Sequence, residues 1–167
     1  MKSTLIKIAV IITVVFAINS CKDDDDDQPA PPSADKSLYD AVVAAGYTYY
    51  QGGNTLPPAS PSPHGSFKLR FNATAQAALD STGELPVGNT FPTGSILVKD
   101  VYAGGSLALF AVMRKDPANA NAGSGWLWAE YNIDGTVITS LTSKGSGCVS
   151  CHSSADNRDL VKTFDLH

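Results

Sequence analysis

The chain of 167 residues is poor in the side chains that build metal clusters and covalent frameworks, with only three cysteines, three histidines and two methionines. Three thiols cannot make a disulfide scaffold, and so few ligands cannot supply several structural zinc sites. A strong charge of either sign is also missing once the run Asp23 to Asp27 is set aside. The sixteen acids less those five leave eleven, and the twelve bases less Lys2, Lys7 and Lys22 leave nine. Such a balance argues against binding nucleic acid or another polyanion. No repeat of solenoid length is present, and the long apolar run is confined to the N-terminus.

That run, Leu5 to Ile18, follows Lys2 and falls short of the roughly 20 residues a membrane span needs. With the basic start it reads as an export signal over residues 1–20, and Ile18-Asn19-Ser20-Cys21 resembles a lipobox cleaved before Cys21. Lipidation of Cys21 would anchor the protein to the outer membrane, on its periplasmic or its cell-surface face. Each buried methylene contributes about 0.8 kcal/mol, so two or more acyl chains hold durably. Residues 21–35, acidic and then Pro-rich, form the tether, leaving residues 36–167 as one domain.

With Cys21 assigned to the anchor, the other two cysteines fall in Cys148-Val149-Ser150-Cys151-His152. This C-x-x-C-H pattern attaches c-type haem. Two thiols three residues apart on one helical turn can each add to a porphyrin vinyl group, and the adjoining imidazole then faces the iron. One covalent haem is therefore expected, with His152 as the axial iron ligand. A zinc site competes for the same thiols but finds only His64, His152 and His167 to complete four ligands. A C-x-x-C disulfide also competes, but it leaves His152 without a role and lacks its usual βαβ setting.

The pattern along the domain is α+β, mainly an antiparallel sheet of about five strands with two or three short helices. Leu38, Tyr39, Val42, Val43 and Ala45 recur at helical spacing up to Gly46. Phe67, Leu69 and Phe71 alternate with charged residues as a half-buried strand, and Asn72 caps an Ala-rich helix that Gly83 ends. Strands are expected at Ser95 to Tyr102, Leu107 to Arg114, Trp126 to Asn132 and Thr136 to Thr142, with another at Leu160 to Phe164. So many strands exclude the small all-helical cytochrome c.

In their order, several segments resemble the cytochrome P-460 family and its relative cytochrome c-prime-beta. They are Ser62-Pro63-His64-Gly65, Gly94 to Asp100, Gly125-Trp126-Leu127-Trp128, the haem motif, and Asp159-Leu160-Val161. The resemblance implies a monohaem redox protein acting on hydroxylamine or nitric oxide, with an external electron acceptor or donor protein and a homodimeric assembly. It also implies that Lys99, which follows Thr82-Gly83-Glu84, is the lysine bonded to a haem meso carbon in that family. Alternation places Lys99 on the strand face of Leu97 and Val101, among apolar groups; a lysine snorkelling to solvent is the plainer reading.

The sixth iron position separates the functional classes. An electron-transfer cytochrome fills it, and Met113, His64 and His167 are the residues of suitable type, although Met113 reads as core and His167 as frayed. A gas-binding protein keeps it open beneath apolar cover, for which Phe67, Phe71 and Phe91 are candidates. An oxidoreductase adds an acid for proton transfer, from Asp100, Glu130 or Asp134.

Overall fold

The computed structural model of the chain describes residues 33–58, 62–153 and 158–167. The expected signal, the Cys21 lipidation and nearly all of the tether lie outside them. Pro32–His167 forms one compact unit.

The first helix, α1 (Ala34–Val43), starts before its apolar pattern does because the Ser33 hydroxyl accepts the Lys36 N–H at 3.1 Å. It buries Leu38 and Val42. The sheet follows as β1 (Thr48–Tyr49), β2 (Ser66–Phe71), β3 (Ile96–Ala103), β4 (Ser106–Lys115), β5 (Trp126–Asn132) and β6 (Val137–Thr139). Spatial order equals chain order, and every neighbouring pair is antiparallel. Gly104 and Gly105, at φ 57° and 85°, supply the left-handed turn that a tight β3–β4 hairpin requires.

The α+β expectation therefore holds, with six strands instead of about five and with short helices α2 (Ala73–Gln76), α3 (Val149–His152) and α4 (Thr163–Leu166). Three local expectations do not hold. Asn72 does cap α2 through the Ala75 N–H, but the helix stops early; downstream, the Asp80 carboxylate accepts from the Thr82 and Glu84 amides and favours a turn. β6 ends at Thr139 because Ser140 caps a 3-10 turn at Leu141–Ser143. The segment from Leu160 is a turn leading into α4, not a strand, since Asp159 and Leu160 both take positive φ, 52° and 70°.

Strand alternation divides the buried residues between the two faces of the sheet. Ile96, Val98, Phe110, Val112, Leu127, Ala129 and Tyr131 pack with α1 on one face. The same face holds the buried Arg70–Asp100 pair at 2.9 Å, which Arg70 extends to the Val42 carbonyl at 2.8 Å. The opposite face carries Phe67, Leu69, Leu97, Met113, Trp126 and Trp128, and the C-terminal segment covers it.

Candidate functional site

Register on that second face sets residues from successive strands side by side. Phe71, Leu97, Met113 and Trp128 form one row across the sheet, and Leu69, Lys99, Ala111, Glu130 and Thr139 form the next. Above them the chain after β6 turns back over β5. Gly145 takes φ 71° directly against the Trp128 indole, where any side chain would collide with the ring. The close approach presses α3, and with it the C-x-x-C-H turn, onto the sheet.

Between sheet and turn lies a cavity of about 310 Å³, within the usual range for small-molecule sites. Cys148, Cys151 and His152 line one side, while Phe67, Lys99 and Glu130 line the sheet side. Both cysteines carry thiols. Burial, reinforced by Glu130, pushes the Cys148 thiol pKa up. The His152 ring meets Trp128 edge-on, centroids 4.8 Å apart, and its Nδ1 lies 2.7 Å from the Leu160 carbonyl. A carbonyl can only accept, so Nδ1 carries the hydrogen and donates it, which leaves the Nε2 lone pair for a metal. Burial brings the His152 pKa down to about 4, keeping the imidazole neutral at pH 7 despite the opposing effect of the Leu160 hydrogen bond.

Lys99 sits with its Nζ 4.4 Å from the centre of the Phe67 ring, a distance at which the ring face attracts a cation. Burial lowers its pKa to about 8; Cys151 works against that shift and Lys162 adds to it. At pH 7 roughly one amine in ten is then unprotonated and nucleophilic. Glu130 accepts the Thr139 hydroxyl at 2.9 Å. His64 Nδ1 lies 3.7 Å from Glu130, but burial holds the imidazole pKa near 4, with Lys99 contributing, so the two are polar neighbours and not an ion pair at neutral pH.

Of the three acids singled out from the sequence, Glu130 alone lines the cavity. Asp100 belongs to the opposite face with Arg70, and Asp134 lies in the exposed β5–β6 turn, accepting the Thr136 amide. Among the aromatics, Phe67 lines the cavity, whereas Phe71 stacks on Phe164 and Phe91 packs edge-on against Trp126. Met113 and His64 both line it. The expectation that His167 frays fails. Its amide donates to Thr163, its carbonyl accepts from Gln51, and its ring lies 5.5 Å from Phe67. The sequence reading missed Thr139 and the Leu160 carbonyl; the parity of Glu130 with Trp126 and Trp128 would have selected the acid.

These residues fit a haem. Two thiols and an imidazole share one helical turn, and all three residues line a mostly apolar cavity. Thr163 also lines the cavity, buried to 1% exposure, and its hydroxyl finds no partner among the described residues. A buried hydroxyl beside a cavity leaves a hydrogen-bonding position for a polar group of a bound ligand or for water.

Residues 59–163 match the family model described as Cytochrome P460. The search of curated proteins found no match.

Proposed function

The chain belongs to the cytochrome P460 family and is a haem protein of that family, and from that premise we propose that it is an exported, lipid-anchored c-type monohaem protein that oxidises hydroxylamine or nitric oxide. Cys148 and Cys151 hold the porphyrin as thioethers, and His152 Nε2 ligates the iron. One observation carries the reading: the C-x-x-C-H turn, Lys99 and Glu130 all face a single cavity. The haem, when bound, would supply the redox-active iron, with an external protein as the electron acceptor.

The rest of the chemistry falls to the chain. Oxidising an N–H or O–H bond releases protons, and Glu130, oriented by Thr139, takes them from the substrate side. His64, neutral at pH 7, is the next polar side chain along that wall. Leu97, Leu69 and Met113 keep the surroundings apolar and favour small uncharged substrates over anions. Lys99, with its lowered pKa, would supply the amine for a bond to the porphyrin edge, a step that releases two protons and needs an external oxidant to take two electrons. The same apolar lining and the Phe67 ring favour a second reading, a five-coordinate haem that binds nitric oxide or carbon monoxide without turnover.

Optical spectra of the ferric and ferrous protein, with denaturing mass spectrometry of the haem peptide, decide between these. A red-shifted ferrous Soret band lost in Lys99→Arg supports the crosslinked oxidoreductase, and an ordinary high-spin spectrum supports gas binding. A low-spin six-coordinate spectrum in both oxidation states would identify an electron-transfer cytochrome instead. Expression with a cytochrome c maturation system that yields no covalent haem overturns both proposed readings.

A further inference from the structure

The backbone beyond the haem motif is strained at two consecutive positions, Asp159 and Leu160, neither of them glycine. Outliers of this kind persist only where their surroundings over-determine them. Here the determinant is visible. The Asp159 carboxylate is almost fully buried, 8% exposed, and gathers three donors from three parts of the chain. Oδ1 accepts Lys115 Nζ at 2.6 Å from β4 and Trp126 Nε1 at 3.3 Å from β5, and Oδ2 accepts the Phe91 amide at 2.8 Å. The next residue's carbonyl accepts from His152 Nδ1 at 2.7 Å.

We propose that Asp159 is a positioning residue for the proximal side: by clamping the 159–160 turn to the sheet it aims the Leu160 carbonyl at His152 and sets the donor strength of that ligand. A hydrogen bond from Nδ1–H to a fixed acceptor gives the imidazole more imidazolate character, which strengthens the bond from Nε2 to a metal and stabilises the oxidised iron. Only an acceptor at both oxygens suits this site, because all three partners donate. Asparagine would turn an NH₂ group toward one of them and leave the clamp incomplete, while still tolerating the positive φ that alanine would strain. The inference rests on the reading of His152 as the iron ligand.

The test compares wild type, Asp159→Asn and Trp126→Phe as haem-loaded proteins. The measurements are the iron–histidine stretching frequency of the ferrous form by resonance Raman, the reduction potential, and circular dichroism for the fold. Asp159→Asn is expected to lower the stretching frequency and raise the potential with the fold intact. Trp126→Phe, which keeps the carboxylate and its two shorter bonds, should shift the frequency much less. A folded Asp159→Asn protein whose frequency matches wild type overturns the proposal, even if its potential rises, because loss of the nearby negative charge alone raises a potential. Should Asp159→Asn fail to fold, Lys115→Met replaces it. Removing a cation lowers the potential by its field, so a lower stretching frequency with a raised potential supports the clamp, and an unchanged frequency overturns it. Absence of any iron–histidine band from a wild-type ferrous haem that is five-coordinate and high-spin by its optical spectrum would refute His152 ligation itself, a separate failure.

Discussion

Lys99 and Glu130 share one row of the sheet with only the methyl of Ala111 between them. Adjacent strands are about 4.8 Å apart, so the amine-bearing and acid-bearing positions stand roughly 10 Å from each other. The small residue leaves the floor of the cavity open between them. Ala111→Leu should fill that floor. We expect less covalent haem per protein after expression with a maturation system, and slower carbon monoxide association in whatever haem is loaded. Full loading with unchanged association kinetics would show that the row does not border the bound ligand.

Glu130→Gln retains the size of the side chain and its bond from Thr139 but cannot take a proton. Hydroxylamine turnover should fall about 10²- to 10⁴-fold, with the haem spectrum unaltered. Steady-state oxidation with an artificial electron acceptor measures this, and a wild-type rate in the variant would remove Glu130 from the mechanism.

His64 contributes to the pH dependence of the haem-free fold, alongside His152. Its folded pKa of about 4 lies below the unfolded value of 6.5. Between those values the unfolded chain binds a proton that the folded chain refuses, so stability rises with pH across the window and is lost as pH falls from about 6.5 to 4. A loss of about 2–3 kcal/mol is expected from this group. Urea unfolding at pH 7 and pH 4.5 should show it, and His64→Leu should reduce the difference; an identical drop in the variant would assign the effect to other groups.

Asp100 answers to stability instead of catalysis. Asp100→Ala strands the buried Arg70 guanidinium, which should cost about 3–5 kcal/mol in denaturant unfolding. The haem spectrum of the folded variant should match wild type, since the pair lies on the face away from the cavity. A large spectral change with normal stability would contradict that placement.

The residues that were legible in the sequence are those whose meaning is local. Strand parity placed Lys99 with Leu97, and the α+β sheet followed from alternation and from the glycine turns at Gly104-Gly105 and Gly135. What could not be read depends on contacts between distant segments. Glu130 shares its parity with Trp126 and Trp128, but that it stands one residue from Lys99 across Ala111 is set by the cross-strand register. Leu160 to Phe164 has a strand's composition, yet the clamp on Asp159 and the hydrogen bond from His152 hold its start in a left-handed turn. His167 looked like a loose end because nothing in its neighbours announces that Phe67, a hundred residues earlier, offers a ring to pack on.

The identity of spatial and sequential strand order bears on the time course of assembly. Each strand pairs with the one just before it, so no pairing waits for a strand further along the chain, and β3 to β6 can grow by successive hairpins once β2 has closed its longer connection to β3. Cys148 and Cys151 follow all six strands, on a turn that docks against a finished wall. The apolar face is then exposed to water until that docking, and a porphyrin that reaches it early meets a preformed surface with the attachment thiols still outside.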